Sequence, residues 1–339
     1  MKHLSAGKLR GLRRMADAQG RFKMTAVDQR PPIINPIAAA RGGTAPWEDV
    51  ARFKTMLVKE LQGQSTAMLL DPNYAYPMAE PILDTTKGLI MTLEDSVFRE
   101  TDQGRLSFEI DGWSVAKIKR AGADAVKVLT WYRPDAPKAV NDHQKAFTRA
   151  IGEACQKHDI PYLFELLVYP LPGEKNQTTQ YIEMADKKSE LVLESVAEFA
   201  KPEYGVDVFK LESPVPARDC DGSAAVQKLF DEMGKLCGRP WVMLSAGAGM
   251  AEFKAVLEHA YRAGASGYLA GRAIWSDAFK AFPDWSAIEA GLKGKGVDYM
   301  RDINALTDAQ AKPWPTNWGG ATLADADPNF RHAYRDFGG

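Results

Sequence analysis

The sequence predicts an α/β fold, a closed (β/α)8 barrel, and three observations carry that expectation. Eight short apolar runs follow one another, stretches with helical spacing alternate with them, and no linker or shift of composition interrupts the alternation. Each run is rich in Val, Leu or aromatics and bounded by Gly, Pro or polar residues, as suits strands buried on both faces of a parallel sheet. An open doubly wound sheet usually places a glycine-rich turn after its first strand. Here Asp28-Gln29-Arg30-Pro31-Pro32 stands there instead, so the closed barrel is the expectation.

In chain order, residues 1–20 read as a helix placed as a plug over the bottom of the barrel. The strands follow as Met24–Asp28, Ala67–Asp71, Leu89–Glu94, Asp124–Trp131, Tyr162–Tyr169, Val206–Glu212, Trp241–Gly247 and Gly267–Arg272. The clearest helices between them are Trp47–Gln62, Trp113–Ala121, Asn141–His158, Ser189–Lys201, Ser223–Leu236 and Met250–Arg262. Gly63, Gly122 and Gly264 stand as helix stops. Residues 1–311 are thus expected to form one barrel. Residues 312–339, rich in Pro, Trp, Asn, Gly and Asp, are expected as an irregular C-terminal tail, packed on the surface or on a neighbouring subunit of a homo-oligomer.

Composition excludes function classes without naming one. The 339 residues carry 43 basic and 44 acidic side chains, a net charge of -1, and no long Lys/Arg block, which argues against a coat for nucleic acid. No stretch approaches the ~20 consecutive apolar residues of a membrane span. The basic start from Met1 to Arg14 lacks the apolar run of a secretory signal. Cys155, Cys220 and Cys237 are odd in number and widely spaced, which suits a reducing cytoplasm rather than a disulfide framework or a zinc site.

In such a barrel the active face lies at the C-terminal ends of the strands. Asp28, Asp71, Glu94, Lys127, Glu165, Lys210, Ser245 and Arg272 fall there. Lys127 and Lys210 interrupt otherwise apolar strands, which is costly unless the ammonium is paired. One such lysine is read most simply as half of a structural ion pair. Two, on strands four and six with Glu165 on strand five between them, suit a different purpose. Each cation is expected to lower the other's pKa, leaving one amine neutral and nucleophilic toward a carbonyl carbon. Two glycine-rich turns, Ser245-Ala246-Gly247-Ala248-Gly249 and Ala270-Gly271-Arg272, follow strands seven and eight, where these barrels often bind phosphate. Either alone is simply a tight turn, but Arg272 adds a permanently charged fork.

Other candidates weigh less. His3, His143, His158, His259 and His332 lack metal-ligand spacing. Asp71 and Glu94 suit the site and equally suit caps of the following helices. Asp186-Lys187-Lys188-Ser189-Glu190 mixes both signs and is read as a solvated turn. The few basic residues that matter are expected to gather at one barrel mouth as a strongly positive pocket.

Several segments carry a family resemblance. Val27-Asp28-Gln29-Arg30, Trp113-Ser114-Val115, Ala121–Lys127, Phe164-Glu165-Leu166, Gly205–Glu212, Leu244–Gly247 and Gly271–Trp275 resemble the tagatose-1,6-bisphosphate aldolase family over about residues 5 to 315. These are class I, Schiff-base aldolases built as TIM barrels, with sulfofructose phosphate aldolases as close relatives. The resemblance implies that Lys210 forms the Schiff base, with Glu165, Lys127 and Asp28 completing the catalytic cluster. It implies phosphate binding at Ser245, Gly247, Gly271 and Arg272, substrate contacts from Gln29 and Arg30, and no cofactor or metal.

Pro31-Pro32-Ile33-Ile34 departs from the family pattern, stiffening a loop and removing two backbone donors. That loop lies where a second anionic end of the substrate would be held. The expected reaction is cleavage of a ketose phosphate such as tagatose 1,6-bisphosphate to dihydroxyacetone phosphate and glyceraldehyde 3-phosphate. The alternatives are a sulfofructose-phosphate or monophosphate aldolase, a non-catalytic sugar-phosphate-binding regulator, and, more distantly, a divalent-metal aldolase.

Overall fold

Period-two alternation along the strands decides what the barrel encloses and what it shows to its helices. The computed structural model describes residues 1–177 and 184–334. Its central strands are Phe22–Ala26, Ala67–Leu70, Gly88–Thr92, Ala125–Trp131, Tyr162–Leu167, Val208–Leu211, Trp241–Met243 and Gly267–Ala270. All pair in parallel, each with its sequence neighbour, and the eighth closes on the first.

Outward side chains such as Val126, Val128, Phe164, Phe209 and Tyr268 pack with the surrounding helices in one apolar cluster. Alternate residues face the axis. Met24, Leu69, Ile90, Ala125, Leu163, Val208, Val242 and Leu269 fill the lower interior. Two residues further along strands four, five and six, the same face carries Lys127, Glu165 and Lys210. Above them Leu129, Trp131, Leu167, Tyr169, Leu244 and Ala246 form a second apolar cluster, with Phe98 packed on it. A charged layer is therefore enclosed between an apolar floor and an apolar roof.

The bottom plug is present in modified form. A strand, Lys2–Leu4, precedes the helix Ala6–Met15, and Leu4, Leu12 and Met15 join the barrel floor. The tail is built of short pieces joined by irregular stretches: a helical turn at Trp314–Trp318, a strand, Ala321–Leu323, that pairs in parallel with Lys2–Leu4, and a short helix, Phe330–Ala333. Trp314 is buried against the same floor. The expected tail continues into residues 335–339, which lie outside the described residues.

Three features differ from the expected elements. The Pro31–Asn35 segment is helical, not a loop: Pro31–Ala40 is a helix with prolines in its first two positions, where a missing N–H costs nothing because those donors have no intrahelical partner. A hairpin, Arg99–Thr101 with Gly104–Leu106, follows strand three. Helices Arg272–Phe279, Trp285–Gly291 and Val297–Gln310 wrap the last strand.

Candidate active site

Lys127 lies at the centre of the charged layer. Its Nζ is 2.9 Å from Asp28 Oδ2, 2.5 Å from Glu94 Oε1 and 2.8 Å from Glu165 Oε2. Glu165 also reaches Lys210, with Oε1 2.9 Å from that Nζ. Strand register explains the contact, since Glu165 lies directly opposite Lys210. Lys127, Glu165 and Lys210 expose only 1%, 0% and 3% of their surface.

The structure corrects the expected electrostatics. The two lysines do not simply face one another, because the Glu165 carboxylate bridges them. Burial works against the Lys127 ammonium, but Asp28, Glu165 and Glu94 outweigh it and hold its proton well above the usual lysine range. Burial alone would likewise raise the Asp28 carboxyl. Lys127, Lys210 and Arg30 outweigh that, so Asp28 stays well below the usual carboxylate range. Nor is the mouth a strongly positive pocket. Asp28, Glu94 and Glu165 match most of the charge of Lys127, Lys210, Arg30 and Arg272.

Glu94 belongs to this layer rather than capping a helix. Besides Lys127, its carboxylate accepts from Thr92 Oγ1 at 2.6 Å and lies 3.7 Å from Arg30 Nη2. Arg30 Nη1 donates to the Glu94 backbone carbonyl at 3.1 Å. Asp71, by contrast, is outside the layer: it pairs with the buried Lys54 and accepts from the backbone N–H groups of Asn73 and Tyr74. The solvated turn expected at Asp186–Glu190 is also corrected. Lys187 is buried with its Nζ 3.0 Å from Glu212 Oε2, and Glu212 Oε1 accepts from the Val168 N–H.

A cavity of about 30 Å3 opens beside Lys127, bounded by Asp28, Gln29, Arg30, Glu94, Ser96 and Leu129. That volume holds only one or two waters. Gln29 Oε1 and Arg30 Nε are buried there without a hydrogen-bond partner among the described residues. A far larger cavity, about 1060 Å3, lies at the opposite end between Lys2–Lys8, Asp159 and the tail. The charged layer, not cavity size, locates the chemistry.

The turns after strands seven and eight meet. Ala246 and Gly247 both have positive φ, +44° and +91°, and the Ala248 N–H returns to the Ser245 carbonyl. A Cβ on Gly247 would lie 3.3 Å from Arg272 Nη1, so glycine lets the guanidinium lie against the turn. Burial lowers Arg272 to about 10, opposed by Glu165 and Asp28. The helix Met250–Arg262 already uses its own Glu252 to accept the Gly249 N–H. The helix Arg272–Phe279 has no acidic residue in its first turn and leaves the more open N-terminus for an anion. Among the described residues no three His, Cys, Asp or Glu side chains are grouped to hold a metal ion, and no helix is long and apolar enough to cross a membrane.

Comparison with known proteins places the chain in a family. Residues 22–277 match the DeoC/LacD family aldolases. The tagatose 1,6-diphosphate aldolase of Listeria monocytogenes serotype 4a (strain HCC23) is 32% identical over 332 residues, covering 94% of this chain and 97% of that protein. Tagatose 1,6-diphosphate aldolase 1 of Enterococcus faecalis (strain ATCC 700802 / V583) is 32% identical over 318 residues, covering 90% and 96%. An archaeal fructose 1,6-bisphosphate aldolase superposes with a TM-score of 0.55 at 17% identity, covering 88% of this chain and 98% of its own. Fructose-bisphosphate aldolase from Plasmodium falciparum gives 0.66 at 14% identity, covering 92% and 98%; both share the barrel. With a family match over most of the barrel and relatives aligned along nearly the whole chain, this protein belongs to the DeoC/LacD family of aldolases, carbon–carbon lyases.

Proposed function

We propose that the protein cleaves a ketose phosphate through a Schiff base on Lys210. The observation that supports this most is the Glu165 bridge: one carboxylate lies within hydrogen-bond reach of both buried ammonium groups. Glu165 takes a proton from Lys210, and the freed amine attacks the ketone carbon. The carbinolamine loses water to give an iminium. A base then removes the proton from the hydroxyl on the carbon beyond the scissile bond, the carbon–carbon bond breaks, and its electron pair moves into an enamine. An aldehyde leaves; the enamine is protonated at carbon and hydrolysed to dihydroxyacetone phosphate. Asp28 orients substrate hydroxyls. Lys127, fixed in its protonated form, holds the Glu165 carboxylate in place beside Lys210. Ser245, Gly247, Gly271 and Arg272 hold the phosphate of the ketone half, and the unpartnered Gln29 and Arg30 atoms await polar groups of the aldehyde half.

Tagatose 1,6-bisphosphate is the substrate we infer, from the names of the relatives. A ketose with a single phosphate, or with a sulfonate at its far end, is the second reading. One feature favours it: Pro31 and Pro32 strip N–H groups from the helix start beside the small cavity, and Asp28 and Glu94 line that cavity. A second dianion would find few backbone N–H donors there. Borohydride added with each ketose phosphate of a panel, followed by peptide mass spectrometry, tests both readings. The expected result is an adduct on Lys210, lost in Lys210→Ala. An adduct that survives the substitution, or turnover that does, refutes the Schiff-base assignment, and relative turnover across the panel separates the substrates.

A further inference from the structure

Lys54 is a fully buried lysine that the chemistry above does not use. It lies on the helix Trp47–Leu61, outside the barrel, and exposes 0% of its surface. Burial lowers its pKa, opposed by Asp71. Its Nζ pairs with Asp71, at the end of strand two, and donates to the backbone carbonyl of Val27 at 2.9 Å. Val27 immediately precedes Asp28. Its N–H bonds to the Leu69 carbonyl on the neighbouring strand two, but its carbonyl lies past the last ladder pair of strand one. That carbonyl therefore takes its hydrogen bond from a side chain. A buried ammonium is an expensive donor and persists only when paired. The carbonyl it holds sets the direction in which the chain leaves the strand, and hence where the Asp28 carboxylate meets Lys127.

We propose that Lys54, held by Asp71, is a positioning residue for Asp28: the pair clamps the Val27 carbonyl and so places the Asp28 carboxylate on Lys127. The inference rests on the aldolase reading for its kinetic consequences, but its structural consequence stands alone. Two neutral double variants separate the contributions. Lys54→Leu/Asp71→Asn removes the donor to Val27, while the amide oxygen introduced at position 71 still accepts from the Asn73 and Tyr74 N–H groups. Lys54→Gln/Asp71→Asn has the same charge but keeps an N–H donor.

The leucine variant is expected to lose at least about tenfold in kcat, with KM changed less, because oriented groups act mainly in the transition state. Borohydride trapping of Lys210 by dihydroxyacetone phosphate is expected to persist, since that step does not require Asp28. The glutamine variant is expected to regain most of kcat. Equal rates for the two variants would overturn the clamp. So would a crystal structure of the leucine variant in which Asp28 remains about 3 Å from Lys127, and that criterion applies even if the native chain cleaves no ketose phosphate offered. Should the leucine variant not fold, Lys54→Met/Asp71→Asn, closer to lysine in shape and equally without a donor, serves in its place: a crystal structure with Asp28 displaced from Lys127 supports the clamp, and one with Asp28 in place overturns it.

Discussion

The Asp28 carboxylate, paired with Lys127, stabilises the fold in its charged form, which gives it a measurable acid signature. Its folded pKa lies below its unfolded value of about 3.9. The stability it contributes is therefore whole above about pH 4 and is lost as pH falls through the folded value. Thermal melts from pH 6 to 2 should show the native melting temperature declining more steeply below about pH 4 than that of Asp28→Asn. Parallel slopes would show that Asp28 carries no such linkage. Legibility at this scale follows from cost. Lys127, Glu165 and Lys210 were visible in the sequence because a charge inside an apolar strand demands a partner or a purpose. Glu94 was not separable from Asp71, since both follow an apolar run and precede polar residues. Only the fold shows one on Lys127 and the other on Lys54. Lys187 was hidden for the opposite reason: in a mixed charge run a buried lysine looks like its solvated neighbours.

At the scale of elements, continuous apolar runs and glycine stops were enough to place the strands and most helices within a few residues. The helix Pro31–Ala40 escaped because two prolines read as a rigid loop unless they are known to occupy the first helical turn. The hairpin after strand three escaped because its strands, Arg99–Thr101 and Gly104–Leu106, are three residues each, too short to show alternation. Closure of the barrel rests on a position the sequence shows only as one glycine among many. Gly267 opens strand eight opposite Phe22 of strand one, with φ at +148°. A Cβ there would lie 1.9 Å from the Phe22 carbonyl oxygen, so alanine adds a backbone clash to an unfavourable φ. Gly267→Ala is expected to cost at least about 3 kcal/mol, combining overpacking with backbone strain. Urea unfolding reads this as a lower midpoint at unchanged slope; a midpoint equal to the native one would mean that the closing seam yields without cost.

Across the whole molecule the two ends of the barrel have separate tasks, and this division predicts that stability and chemistry come apart. The near-neutral charge of the chain recurs in miniature at the mouth, where three carboxylates offset the lysines and arginines, so the site works by local pairing rather than by a broad positive field. At the opposite end the described residues are held chiefly by apolar packing and strand pairing. There Lys2–Leu4 pairs with Ala321–Leu323, and Trp314 closes the floor with Leu4, Leu12, Met15 and Phe22. Composition indicated an irregular tail packed on the surface but not the residue that anchors it, because a single tryptophan in a Pro- and Gly-rich segment carries no periodicity. Trp314→Ala should leave a cavity in that floor and cost roughly 3–5 kcal/mol, lowering the melting temperature by several degrees. Its side chain is separated from Lys210 by the apolar interior, which includes Val208 and Val242. Well below its melting temperature, the variant is therefore expected to keep the native kcat and the same borohydride labelling of Lys210. A drop in kcat at a temperature where circular dichroism shows the fold intact would mean that the floor transmits strain to the charged layer. The mouth would then depend on the tail for its geometry as well as for its stability.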